Sequence, residues 1–167
     1  MAPLEVGSPF PENVKFSYIP PTGSLDLTSC SVFPTTFEAS KEFQNKKAVL
    51  VAVPGAFTPT CQEQHVTSYI ANLDKLRAKG VDSIVFIASN DAFVMSAWGK
   101  ANGIKDDSIL FASDDGVEFS KSIGWASGDR TGRYAILIDH GKVVYAGIDT
   151  QRGSIENSGA EAVLAKL

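Results

Sequence analysis

The chain has 167 residues, 44% of them hydrophobic, which is enough for one domain with a sizeable core and short for two. Its formal charge of -4 and its 15 dispersed Lys and Arg residues exclude the clustered basic surface that nucleic acids require. Two cysteines do not make a disulfide framework. No N-terminal apolar stretch resembles a secretory signal, and no run approaches the roughly 18 residues of a membrane span. The expectation is a single soluble, intracellular domain over 1–167 that handles small neutral substrates, without nucleic acid or membrane as partner.

In chain order, residues up to about Pro21 are rich in proline and glycine, with a short strand predicted over 14–19. Residues 25–28 alternate as an edge hairpin partner would, and 37–44 read as a short helix. The run 48–53, Ala-Val-Leu-Val-Ala-Val, is continuously apolar and suits a strand covered on both faces. Beyond Cys61 the period changes. Val66, Tyr69, Ile70, Leu73 and Leu76 recur at spacings of three and four, which predicts an amphipathic helix closing at Gly80. A second apolar strand follows over 83–88, so strand, helix and strand imply a parallel crossover. A helix over 92–102, a short strand near 109–111 and a helical turn around Phe119 come next. The end reads as a hairpin, 134–138 and 143–146 around Asp139-His-Gly-Lys142, and a last helix over 159–167. This order predicts the α/β class, a mixed central sheet flanked by helices.

Cys61 stands at the start of the predicted helix, directly after a buried strand. Unpaired N–H groups and the positive end of the helix dipole favour an anion there. An ordinary thiol, with pKa ~8.5, is only a few per cent thiolate at neutral pH, so a site that favours the anion makes a better nucleophile. The same position also suits a small apolar filler under a helix. Strand, turn and helix alone leave both readings open.

The residues around it narrow the choice. Pro54, Thr58 and Cys61 stand as Pro-x3-Thr-x2-Cys within Pro-Gly-Ala-Phe-Thr-Pro-Thr-Cys, followed by His65. Further on come Asn90-Asp-Ala-Phe-Val-Met-Ser-Ala-Trp98-Gly-Lys, Phe111-Ala-Ser-Asp, Ser122-Ile-Gly-Trp125 and Arg133-Tyr-Ala-Ile-Leu-Ile-Asp. Together these resemble the peroxiredoxin-five subfamily over nearly the whole chain, the fungal alkyl hydroperoxide reductases above all. The resemblance implies a thioredoxin-like fold with N-terminal additions and a thiol peroxidase that needs no cofactor and no metal. In such enzymes the cysteine corresponding to Cys61 attacks a hydroperoxide and becomes a sulfenic acid. By the same resemblance Thr58 offers its hydroxyl to the thiolate and the peroxide, Arg133 holds both with its guanidinium, and Pro54 shields the sulfur from water. Cys30 corresponds to a resolving cysteine that forms a disulfide with the partner subunit of a homodimer. Thioredoxin, or another dithiol or thiol reductant, then reduces that bond.

Duller readings accompany each residue. Thr58 could cap the helix, Pro54 could end the strand, and Arg130 could stand where Arg133 is assigned. Cys30 could be a bystander in a one-cysteine mechanism. His65 reads as a packing and hydrogen-bonding neighbour that could also add positive charge, and Phe57, Phe93, Trp98 and Trp125 as mostly core, although by the resemblance residues near the cysteine turn and the Trp98 helix border the dimer contact and the substrate mouth. A redox sensor or a holdase could use the same cysteine. A cysteine hydrolase fits poorly, because His65 shares a helix with Cys61 and His140 lies in the hairpin turn. The closing Ala165-Lys166-Leu167 resembles a peroxisomal address, so localisation is expected in the cytoplasm, the peroxisome or both.

Overall fold

The computed structural model describes residues 4–29 and 32–167, so Cys30 falls outside them. Two short strands come first, β1 (Phe16–Tyr18) and β2 (Thr35–Phe37), antiparallel, with Phe16 opposite Phe37. Residues 25–28 do not form the predicted hairpin partner. Asp26 Oδ1 accepts from the Thr28 amide at 2.9 Å and from its hydroxyl at 2.8 Å. Such side-chain bonds satisfy the backbone locally and compete with a ladder. The helix predicted over 37–44 begins later, as α1 (Ala39–Glu42) with a 3-10 turn at Phe43–Asn45, because Phe37 belongs to β2.

The two apolar runs become β3 (Lys47–Ala52) and β4 (Ser83–Ala88), parallel neighbours aligned from Ala48 opposite Ser83 to Ala52 opposite Ile87. Successive side chains leave a strand on opposite faces. Val49, Val51, Ile84 and Phe86 join Tyr69, Leu76, Met95 and Trp98 in one core. Leu50, Val85 and Ile87 join Phe10, Phe16, Phe43 and Phe119 in the other. Burial on both faces is why these runs carry no polar alternation.

Between them lies the helix that begins just before Cys61. Its stretch Cys61–Val66 is wound as a π-helix, continued by α2 (Thr67–Ala71) and, beyond a break at Asn72, by α3 (Leu73–Ala78). Gly80, at φ +87, closes it as predicted. Next come α4 (Ala92–Ala101), β5 (Leu110–Ser113) and α5 (Glu118–Ser122). A small hairpin, β6 (Ala126–Ser127) with β7 (Arg130–Thr131), leads into β8 (Arg133–Asp139), β9 (Lys142–Asp149) and α6 (Ala160–Leu164). The main sheet runs β2-β1-β5-β4-β3-β8-β9. β3, β4 and β5 are parallel and the remaining pairings antiparallel, giving the mixed sheet of the expected α/β class. Leu167 is partly buried against the first core, and its amide donates to the Leu164 carbonyl at 3.2 Å. No helix of the described residues is long and apolar enough to cross a membrane.

Candidate active site

Where β3 ends, Pro54 has no N–H to extend the ladder, and the chain turns through Gly55–Thr58. Phe57 sits in this turn at φ +63, a left-handed conformation that a bulky residue holds only when its surroundings impose it. The neighbouring Ala56 amide donates to Asn90 Oδ1 at 2.9 Å, which ties the turn to the loop before α4. Phe57 is 51% exposed and Phe93 41%. These two aromatics, one in the cysteine turn and one on the Trp98 helix, thus lie at the surface and not in the core, whereas Trp98 is fully buried.

Thr58 leads into the helix. Its hydroxyl donates to the Gly55 carbonyl at 2.6 Å, and its own carbonyl accepts from the Gln62 amide at 2.8 Å. The hydroxyl proton is thus directed to Gly55 rather than to sulfur, a departure from the expected geometry. Cys61 lies in the following turn with no exposed surface. Arg133 reaches it from β8. Nη2 donates to Cys61 Sγ at 3.2 Å, and Nη1 donates to His65 Nδ1 at 3.1 Å.

Local geometry delivers Arg133 to this point. Thr131 Oγ1 donates to the Val53 carbonyl at 2.6 Å, fastening β7 to the end of β3. The Gly132 amide donates to the Trp125 carbonyl at 2.8 Å. A Cβ on Gly132 would stand 2.5 Å from that carbonyl oxygen, so only glycine permits the approach. Pro54, Thr58, Trp125, Arg133, Ile148 and Arg152 line a cavity of about 650 Å³. Cys61 is not on its wall; Arg133, which is, carries the contact to sulfur.

His65 is fully buried. Its Nε2 lies 2.9 Å from the Ser158 carbonyl. Burial, with the Arg133 charge beside it, pushes the imidazole down to about 4 against the pull of that carbonyl. The ring is therefore neutral near pH 7, not the added positive charge that its helical spacing suggested. Ser158 is held by Asp149, whose carboxylate accepts from the Ser158 amide at 2.9 Å, the Asn157 amide at 3.0 Å and Ser154 Oγ at 3.0 Å. Burial works to raise the Asp149 carboxyl, but the bonds from Ser158, Asn157 and Ser154 outweigh it and hold the group below the usual range.

A second support went unread in the sequence. Trp98 Nε1 donates to Gln62 Oε1 at 2.6 Å, and Gln62 Nε2 donates to Asn102 Oδ1 at 2.7 Å, joining α4 to the Cys61 helix. Gln62 adjoins the cysteine, but nothing in its spacing names a partner forty residues away. His140 bonds to Asp139 at the opposite end of β8 from Arg133. With both ring nitrogens of His65 engaged elsewhere, neither histidine forms a dyad with Cys61. Arg130 also approaches the turn, its Nη1 lying 3.7 Å from where a Cβ on Gly55 would be, but the sulfur contact belongs to Arg133.

The Redoxin family model matches residues 5–164. Peroxiredoxin AHP1 of Chaetomium thermophilum is 67% identical over 167 residues, spanning 100% of this chain and 96% of that protein. A putative peroxisomal peroxiredoxin of Lipomyces kononenkoae is 45% identical, over 95% of this chain and 98% of that one. Among solved structures, reduced Prx3 of Vibrio vulnificus in complex with hydrogen peroxide is similar at a TM-score of 0.81 and 37% identity, covering 97% of this chain and 98% of that one. The chain belongs to the Redoxin family, with a thioredoxin-like fold. Its activity is that of a peroxidase of the peroxiredoxin type.

Proposed function

We propose that Cys61 reduces hydrogen peroxide and alkyl hydroperoxides in a two-cysteine cycle. The thiolate attacks the terminal peroxide oxygen, the O–O bond breaks, and the other oxygen leaves as water or alcohol after taking a proton. Cys61 becomes a sulfenic acid. Charge passes from sulfur to the leaving oxygen during this displacement, so fixed donors at both ends lower the barrier. The observation that carries the reading is the 3.2 Å contact from Arg133 Nη2 to Cys61 Sγ, made by a guanidinium that also faces the cavity. Thr58 contributes once its hydroxyl turns from the Gly55 carbonyl to the bound peroxide. Pro54 lines the approach and contributes no N–H.

Cys30 is assigned as the resolving thiol. Its sulfur attacks the sulfenic sulfur of the partner subunit's Cys61, water leaves, and a disulfide joins the homodimer until thioredoxin, a dithiol, reduces it. The relative named as a putative peroxisomal peroxiredoxin supports work in the peroxisome, alone or beside the cytoplasm. The chain acts as one domain.

A thioredoxin-coupled peroxide assay tests this cycle. Cys61→Ser is expected to abolish turnover, and full activity in that variant would overturn the role of Cys61. Oxidised wild type is expected to run as a covalent dimer on a non-reducing gel, with Cys30→Ser monomeric and prone to overoxidation. A monomeric band from oxidised wild type would remove the intersubunit bridge.

A further inference from the structure

We propose that His65 is a positioning residue for peroxide reduction: locked in its Nε2–H tautomer by the Ser158 carbonyl, it presents Nδ1 as a neutral acceptor that fixes Arg133 against Cys61. The inference rests on the reading of Arg133 given above and adds what holds that arginine in place.

The tautomer follows from the partners. A carbonyl oxygen can only accept, so the nitrogen 2.9 Å from Ser158 O carries the hydrogen. A guanidinium can only donate, so the nitrogen 3.1 Å from Arg133 Nη1 carries the lone pair. Both ends of the ring demand the same form. The groups around the imidazole agree with it. Cys61 and Tyr69 lie on its own helix, Arg133 on β8, Phe86 on β4, and the Ser158 carbonyl behind it. Asp149 contributes only weakly to the ring and is occupied with residues 154–158.

The Ser158 carbonyl is itself anchored. It accepts a second bond from Tyr69 Oη at 2.7 Å, and its residue is held by Asp149 through the amide and hydroxyl. A chain of bonded groups therefore runs from the end of β9 through Ser158 and His65 to Arg133 and the sulfur. The choice of imidazole has an electrostatic consequence. Among the described residues the ion pairs are Lys41–Glu38, Lys46–Glu42 and His140–Asp139, none of which involves Arg133. A carboxylate in place of His65 would hold the guanidinium equally well but would neutralise the charge that the sulfur and the leaving oxygen need. A neutral acceptor orients the cation and leaves its charge free.

Two substitutions separate orientation from packing. Asparagine can place an amide oxygen where Nδ1 stands, whereas glutamine reaches the Nε2 position and leaves Arg133 without its acceptor. The measurements are the rate constants of Cys61 with hydrogen peroxide and with iodoacetamide at pH 9, where an ordinary thiol is largely ionised. We expect His65→Gln to slow peroxide reduction by about 100-fold, the scale for a misplaced catalytic group, with alkylation within about threefold of wild type. His65→Asn is expected to recover most of the peroxide rate. Equal peroxide rates in His65→Gln and wild type would overturn the proposal, as would equal losses in both variants. Arg133→Met is the control: if it keeps the wild-type peroxide rate, the role of Arg133 fails first. The wild-type protein supplies a measurement that needs no variant, the ¹⁵N shifts of the His65 ring. The Nε2–H form at pH 7 is expected, and an Nδ1–H or cationic ring would overturn the assignment.

Discussion

Arg133 and Asp149 are cross-strand partners on β8 and β9, yet the Asp149 carboxylate turns to Ser154, Asn157 and Ser158 while the guanidinium turns to Cys61 and His65. Opposite charges placed face to face on a sheet ordinarily pair. Here three polar residues of the following loop saturate the carboxylate, and the cation is released to the sulfur. The arrangement orders residues 154–158 and the nucleophile's surroundings with a single ladder position.

Thr58 separates two uses of one hydroxyl. Thr58→Val keeps the shape but removes both the bond to the Gly55 carbonyl and the proton offered to peroxide. The peroxide rate constant, read by stopped-flow, is expected to fall about 100-fold, the loss typical for one fixed donor at a developing charge. Thr58→Ser, which keeps the hydroxyl, is expected to retain most of the rate. A Thr58→Val enzyme as fast as wild type would confine the residue to shaping the turn.

Acid should loosen the protein through His65. Its folded value of about 4 lies below the ordinary 6.5, so the unfolded chain binds the additional proton between those limits. The stability from keeping this ring neutral is complete above pH ~6.5 and is lost as pH falls toward ~4, about 3 kcal/mol in all. Asp149, also held below its ordinary range, loses its contribution in the same direction at lower pH. Urea unfolding between pH 4 and 7 measures the slope. His65→Gln is expected to flatten it, and an unchanged slope would assign the acid sensitivity elsewhere.

Gly132→Ala tests the approach that carries Arg133 inward. The added methyl would meet the Trp125 carbonyl at 2.5 Å, and backbone must shift to admit it. A loss of about 1–3 kcal/mol is expected, the usual range for overpacking, together with a lower peroxide rate because Arg133 is the next residue. If stability falls while the rate holds, β8 tolerates the displacement.

Gln62→Leu removes the acceptor of the buried Trp98 indole N–H and one partner of Asn102. An unsatisfied buried donor costs about 1–3 kcal/mol, which a shift in the urea midpoint would register. No change in midpoint would mean that the indole finds another acceptor.

Much of this arrangement was legible in the chain, and the illegible parts share a cause. The uninterrupted apolar runs of β3 and β4 and the three-four spacing of Val66, Tyr69 and Leu76 mark elements whose burial is dictated by their own residues. β2 and the β6–β7 hairpin went unread, because two or three residues are too few to establish a period. Leu25–Thr28 misled through alternation, since a pattern of side chains does not show that Asp26 will claim the backbone bonds. At the site, Pro54, Thr58, Cys61 and Arg133 were marked by their resemblance to a family pattern, and the structure places Arg133 on the sulfur. The part of His65 was not readable, because its meaning lies in Ser158 and Arg133, each brought to it by tertiary folding. The exposure of Phe57 was unreadable for a related reason: the left-handed position in its turn falls on the phenylalanine itself and not on Gly55, two residues earlier.

The concealment of Cys61 sets an order of events. A sulfur with no accessible area meets even a slender peroxide oxygen only after its neighbours shift, and a disulfide needs more room still, for a second sulfur about 2.05 Å away with its carbon stem behind it. On the proposed two-cysteine cycle, the packing around Cys61 therefore has to open further for a thiol than for a peroxide. If that cycle holds, the interval before the wider opening is when a second peroxide competes with the thiol for the oxidised sulfur.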